Sequence, residues 1–210
     1  PKVRSSPLNR LLRLRTPLSV LEGLAGPAPD GLIFHMSRCG STLVGRMLGA
    51  GATVLSEASP IDAVVRAALP DQRKVALLRG VVAALGRARG TGDARLFLKL
   101  DCWHARAFAL FREAFPKAPW IHLYRAPQEV LVSHARGVGM QMVPQVVPAA
   151  VFGLEEPAVP DAEYQARVLA AIGEAMLSAH AADRAGMLVN YDALPGAVAA
   201  QGKAKAARPA

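Results

Sequence analysis

Two short clusters of residues carry chemistry that suits phosphate or sulfate groups. The first is Ser37-Arg38-Cys39-Gly40-Ser41-Thr42, with an apolar run before it and helical spacing after it. Backbone N–H groups at a helix start have no partner within the helix, and the helix dipole favours negative charge there. Gly40 permits close approach, Ser41 and Thr42 add hydroxyls, and Arg38 adds a fixed positive charge. The second cluster is Arg125 with Ser133 eight residues later. An arginine fork matches the oxygens of an anion, and a serine on the following helix can share the grip. Taken singly, each cluster has an ordinary reading too. The first is also a plain strand-to-helix turn, and the second a surface ion pair beside a helical serine.

Other anion-binding loops are excluded by spacing. A Walker A loop with Gly40 as its second glycine places His35 at the first glycine and Ser41 at the lysine. The dinucleotide fingerprint G-x-G-x-x-G is missing from this loop. A Cys-x5-Arg phosphatase loop counted from Cys39 reaches Gly45, one short of Arg46. Cys39 is therefore read as a small loop residue. The two cysteines, Cys39 and Cys102, have no CxxC spacing and read as free thiols of a reducing, cytoplasmic compartment. No metal-ligand cluster is visible.

The elements that must position these residues alternate between strand and helix. Apolar runs predict strands at 31–36, 54–56, 95–100, 120–124 and 187–191. Helices are predicted at 42–48, 61–69, 73–85, 103–115, 128–134 and 162–185. Residues 137–160 hold four prolines and read as a long loop or lid. Met140, Met142, Val143, Val146, Val147 and Phe152 would give a lid an apolar lining; the alternative is a Pro-rich spacer with scattered apolar residues. The alternation predicts an α/β fold: a three-layer domain with a parallel sheet of about five strands flanked by helices. Ligands of such sheets bind at the carboxyl ends of strands, where both clusters fall. The expected organisation is a lead-in over 1–30, the α/β domain over 31–196 and a flexible basic tail over 197–210.

The net charge of +9 resembles that of a nucleic-acid binder, but its distribution does not. Eight of the 25 Lys and Arg lie in residues 1–15 and 197–210, leaving 17 against 16 Asp and Glu. The body is nearly neutral, so no nucleic-acid polymer is expected as a partner. No apolar stretch is long enough for a membrane span.

Taken together, the two clusters resemble the sulfotransferase superfamily. Residues 33–43 (IFHMSRCGSTL) are similar to its 5′-phosphosulfate loop, whose common forms are Pro-Lys-Ser-Gly-Thr-Thr and Pro-Arg-Ser-Gly-Ser-Thr. Residues 124–133 are similar to its 3′-phosphate motif, an arginine followed by a serine at this distance. Residues 189–194 (VNYDAL) resemble its Tyr-Glu-Asp-Leu segment. The resemblance spans about residues 31–195. It implies a P-loop-like domain using 3′-phosphoadenosine 5′-phosphosulfate (PAPS) as co-substrate, without a metal. By that resemblance Arg38, Cys39, Gly40, Ser41 and Thr42 hold the 5′-phosphosulfate, and Arg125 and Ser133 hold the 3′-phosphate. Arg38 also stabilises the leaving group. Glu57 follows the second strand, where many relatives carry a catalytic glutamate. Asp101 stands where others carry the histidine of a Lys-x-His pair, with His104 one turn on. The expected order for the general base is Glu57, Asp101, His104, although Glu57 and Asp101 also suit helix caps. His35 is expected in the core and His134 in a structural role.

The chain departs from the family pattern at Ser37, in place of the loop proline, and at Cys39, in place of the second serine. The family's C-terminal glycine-rich segment is not recognisable. The expected activity is sulfuryl transfer from PAPS to a hydroxyl or amine of an unknown acceptor. The competing readings are a nucleotide-dependent phosphotransferase and a nucleotide-binding module without catalysis. The missing P-loop lysine counts against the phosphotransferase.

Overall fold

The computed structural model describes residues 17–88, 95–143, 145–157 and 161–196. The basic segment 1–15, the tail 197–210 and the last lid residues 158–160 lie outside the described residues. Five strands form one sheet: β1 (Gly31–His35), β2 (Thr53–Ser56), β3 (Leu96–Lys99), β4 (Trp120–Tyr124) and β5 (Met187–Asn190). Their order is β2-β3-β1-β4-β5, and every neighbouring pair is parallel. All five residues of β1 are buried, as a central strand covered on both faces requires.

The helices among the described residues are α1 (Leu18–Glu22), α2 (Ser41–Gly49), α3 (Ser59–Val65), α4 (Asp71–Ala88), α5 (Phe108–Ala114), α6 (Pro127–Ala135) and α7 (Ala162–Ala182). The three-layer α/β architecture predicted from the alternation is the one observed. The chain runs from β1 outward to β2, returns to β3 beside β1, then crosses to β4 and β5 on the other side. The connections therefore switch direction at β1, and a crevice opens at the carboxyl ends of β1 and its neighbours.

The core holds this frame rigid. Phe34 of β1 meets Phe108 and Phe111 of α5 at 5.5 and 5.8 Å between ring centres, and Trp120 of β4 at 6.3 Å. Burying each such ring contributes on the order of 2–3 kcal/mol. Trp120 Nε1 donates to Asp183 Oδ2 at 3.0 Å, and the same carboxylate oxygen takes the Arg112 guanidinium at 2.9 Å. These bonds tie α5 and the end of α7 to β4.

Two expectations are corrected. The single helix predicted over 103–115 is two elements, a 3-10 turn at Cys102–Ala107 and then α5. The tighter turn accompanies side-chain bonds from Trp103 and His104 to Asp62 on α3. The described residues of the 137–160 segment form the expected long loop, but one packed on the body rather than a free lid. Met142, Val147 and Phe152 are buried in the core, and 3-10 turns at Met140–Met142 and Ala149–Phe152 fold it onto the body. Glu156 braces the segment internally, accepting from the backbone N–H groups of Gln145 and Ala149 at 2.6 and 2.9 Å.

No helix among the described residues is long and apolar enough to cross a membrane.

Candidate active site

The Ser37–Thr42 loop leaves β1 immediately after Met36, whose N–H still donates to Leu123 O of β4 at 2.8 Å. Arg38 and Gly40 both adopt left-handed backbone, with φ 57° and 78°. Helix α2 then begins at Ser41, and its first N–H groups have no partner within the helix. Only glycine suits position 40. A Cβ there would lie 2.9 Å from Leu194 Cδ1 and 3.0 Å from Tyr191 Cδ2. The VNYDAL segment thus packs directly on the loop, a contact its resemblance alone does not reveal. Cys39 is buried, and burial pushes its thiol up to about 12. It stays protonated and is no nucleophile. Arg38 is exposed and donates from Nη2 to Gly137 O.

A cavity of about 340 Å³ opens against this loop. Arg38 through Thr42 contribute to its lining, and so do His35, Glu57, Asp101 and Trp103. The expected loop residues and two of the three base candidates therefore share one chamber. Met140 and Gln141 also reach it, and Gly137 O holds Arg38, so the start of the 137–160 segment borders the site.

Glu57 stands just past β2 in a left-handed conformation, φ 46°, with its N–H donating to Lys99 O at 2.7 Å. Such a backbone costs about 1–3 kcal/mol for a non-glycine residue and collects at functional sites. Its Oε1 pairs with Lys99 Nζ and lies 3.5 Å from His35 Nε2. The His35 ring and the Lys99 ammonium overcome the opposing effect of burial and hold the Glu57 carboxyl down to about 2. Glu57 is thus a permanent anion at neutral pH. Lys99 is 3% exposed, and this carboxylate balances its charge. His35 is buried as expected, but it faces the cavity rather than a dry core. Its Nε2, 3.5 Å from Glu57 Oε1, is the atom through which the ring acts on that carboxyl, and its Nδ1 has no hydrogen-bond partner among the described residues. Burial lowers its pKa and keeps the ring neutral.

Asp101 follows β3 and is buried. Burial pushes its carboxyl up to about 6. Its backbone N–H donates to His104 Nδ1 at 3.3 Å. That bond leaves the His104 proton on Nε2, which lies 3.2 Å from Asp62 Oδ1. Trp103 Nε1 donates to the same oxygen at 2.7 Å. Ligand atoms of Asp62, Asp101 and His104 lie within 4.8 Å of one another, a cluster not visible in the sequence. Two N–H groups already point at Asp62 Oδ1, so the cluster is built as a hydrogen-bonded network. His104 is 1% exposed and does not line the cavity, which places it behind Asp101 rather than against an acceptor.

The Arg125 cluster forms a second cleft of about 330 Å³, lined by Arg125, Ser133 and Arg136 together with Gln128, Glu129 and Val132. Arg125 leaves the end of β4 and Ser133 lies nearly two turns into α6, so strand and helix aim them at one volume, as their spacing suggests. Arg136 was not foreseen. It falls three residues after Ser133, one helical turn on, and that periodicity was available in the sequence. Arg125 pairs with Glu129, and its guanidinium lies over the Tyr191 ring at 4.5 Å. His134 accepts from Gly139 N at 3.1 Å through Nδ1 and is fully buried, the structural role expected of it.

The structural comparison agrees with this architecture. No protein-family model matches the chain, and no curated protein matches it in sequence. Among solved structures, the fold is similar to a sulfotransferase domain from the curacin biosynthetic pathway. The two share 18% identity with a TM-score of 0.54, over 89% of this chain and 76% of that one. The likeness is one of fold: a parallel five-stranded sheet flanked by helices.

Proposed function

We propose that this protein transfers a sulfuryl group from PAPS to a hydroxyl or amine of an acceptor. The observation that carries this reading is the pairing of two anion sites across adjacent strands. In the β1–β4 register His35 is level with Leu123, so Arg38 and Arg125 follow within two or three residues at the same sheet end. Neighbouring strands are about 4.8 Å apart, so the two sites lie side by side at the carboxyl end of the sheet.

The residues fit the two ends of such a nucleotide. Helix α2 begins at Ser41, and Arg38 to Thr42 line the cavity at its start, where a 5′-phosphosulfate would meet free N–H groups. Arg125, Ser133 and Arg136 supply two cations and a hydroxyl for the 3′-phosphate. PAPS, when bound, supplies an activated sulfuryl group on a phosphate leaving group. Arg38, released from Gly137 O, takes up charge growing on that phosphate. The acceptor oxygen forms the new S–O bond as the bond to phosphate breaks, and the acceptor proton passes to a carboxylate.

Asp101 suits that proton better than Glu57. A base works best with a pKa near the working pH, and Asp101 at about 6 meets this where Glu57 at about 2 does not. Glu57, anchored by Lys99, is suited to accept the acceptor's hydrogen bond and orient it.

The test is calorimetric titration with 3′-phosphoadenosine 5′-phosphate, against AMP and ATP. Tight bisphosphate binding that falls at least tenfold with AMP supports the reading and calls for an acceptor screen with labelled PAPS. Equal affinity for AMP sinks it.

A further inference from the structure

Asp62 belongs to neither anion site nor to any motif of the sequence, yet three side chains converge on it. Its Oδ1 takes Trp103 Nε1 at 2.7 Å and His104 Nε2 at 3.2 Å, while Oδ2 lies 3.4 Å from Arg66 Nη1. On the other side of the His104 ring, Nδ1 accepts from the backbone N–H of Asp101. The imidazole is therefore a rigid link, one nitrogen on Asp62 and the other on the residue that presents a carboxyl to the cavity. Helix α3, which carries Asp62, starts two residues after Glu57, so the device is anchored to the same strand end as the rest of the site.

We propose that Asp62 and His104 form a positioning pair behind Asp101, fixing the turn that presents its carboxyl to the cavity. This assignment rests on Asp101 being the proton acceptor of the proposed reaction. A ring aligned by an anion on its far side cannot rotate, so the Asp101 backbone N–H keeps its partner and the 3-10 turn keeps its pitch. The same pair acts electrostatically. Four groups from four elements bear on Asp101: Glu57 past β2, Asp62 on α3, Lys99 on β3 and His104 in its own turn. The carboxylates of Glu57 and Asp62 favour its protonated form, and the Lys99 ammonium and the N–H dipole of the neutral His104 ring oppose it. His104 Nε2 lies 3.9 Å from Asp101 Oδ2, close enough to matter. Asp62 thus sets both the direction of the carboxyl and its readiness to hold a proton.

The experiment is a carboxyl ¹³C NMR titration of Asp101 in the full chain. The wild type should titrate near the value of about 6 that burial produces. Asp62→Asn keeps an oxygen to accept from Trp103 and His104 but removes the charge. Its Asp101 midpoint should fall by about half a pH unit or more. His104→Gln removes the opposing ring, so its midpoint should rise, and this variant alone suffices should Asp62→Asn not fold. Trp103→Phe removes a donor to Asp62 without touching the link and should leave the midpoint in place. A midpoint that holds still in the first two variants, or moves as far in Trp103→Phe as in Asp62→Asn, overturns the proposal. The titration needs no nucleotide, so its failure is separable from a failure to bind 3′-phosphoadenosine 5′-phosphate. With an acceptor in hand, the acid limb of kcat/KM should shift in the same directions.

Discussion

The Arg125 guanidinium stacks over the Tyr191 ring at 4.5 Å and pairs with Glu129, so its position is set before any ligand arrives. A cation held over an aromatic face is oriented at little further entropic cost. Its charge-assisted bonds to a phosphate should each contribute about 1.5–3 kcal/mol. Arg125→Ala should therefore weaken binding of 3′-phosphoadenosine 5′-phosphate by about tenfold to a hundredfold and leave AMP binding nearly unchanged, as calorimetry would show. Equal losses for both nucleotides would assign Arg125 to the fold rather than to the 3′-phosphate.

Gly40 is a second point at which loop and fold meet. It combines a left-handed φ of 78° with a Cβ position 2.9 Å from Leu194. Gly40→Ala should cost about 1–3 kcal/mol of stability, seen as a lower Tm. It should also displace Tyr191, and with it the stacked Arg125, so 3′-phosphate discrimination should suffer from a change made at the 5′ loop. A variant with native Tm and native discrimination would show that the loop relaxes freely.

The parts of this site that were legible in the sequence are those governed by local pattern. Strands of three to six mostly apolar residues, each followed by a turn, pointed to the parallel sheet, because period and length are short-range properties. Ser37–Thr42 and the Arg125/Ser133 spacing were legible for the same reason. Asp62 was not, since its importance arises from residues about 40 positions away that only the β2–β3 pairing brings near. The helix predicted over 103–115 failed for a related reason: tertiary bonds to Asp62 override a continuous helical period. His35 reads as a core residue because it closes an apolar strand, and that pattern does not distinguish a dry core from a buried cavity wall.

Glu57 links stability to acid pH with a definite sign. Its carboxyl is held at about 2, below the ordinary 4.5. A depressed carboxyl stabilises the fold above the unfolded value and loses that contribution as pH falls through the folded one. The loss should therefore run from about pH 4.5 to about pH 2. Because its side chain is 45% exposed, solvent screening keeps the effect modest. Glu57→Gln should lower Tm at pH 7, where Lys99 is left without its anion, and the gap from wild type should close toward pH 2. A gap independent of pH would show that packing, not charge, is what Glu57 supplies.

Asp101 predicts the opposite slope. Burial raises its carboxyl from 3.8 to about 6. A group whose folded pKa is raised leaves the fold most stable below the unfolded value, and that stability is lost as pH rises through the folded value. Keeping Asp101 ionised at pH 7 should therefore cost about 2–3 kcal/mol, at roughly 1.4 kcal/mol for each tenfold gain in proton affinity. Asp101→Asn removes the cost, so its Tm at pH 7 should exceed that of the wild type. The advantage should vanish near pH 4, where both side chains are neutral. The same change removes the proposed proton acceptor, and turnover with PAPS should fall by about 10²–10⁴-fold. A variant both more stable and inactive is the signature of a carboxyl kept in an unfavourable setting for its chemistry. Loss of stability together with activity would mean that Asp101 holds the turn and nothing more, and thermal melts at pH 4 and pH 7 beside a turnover assay would separate the two.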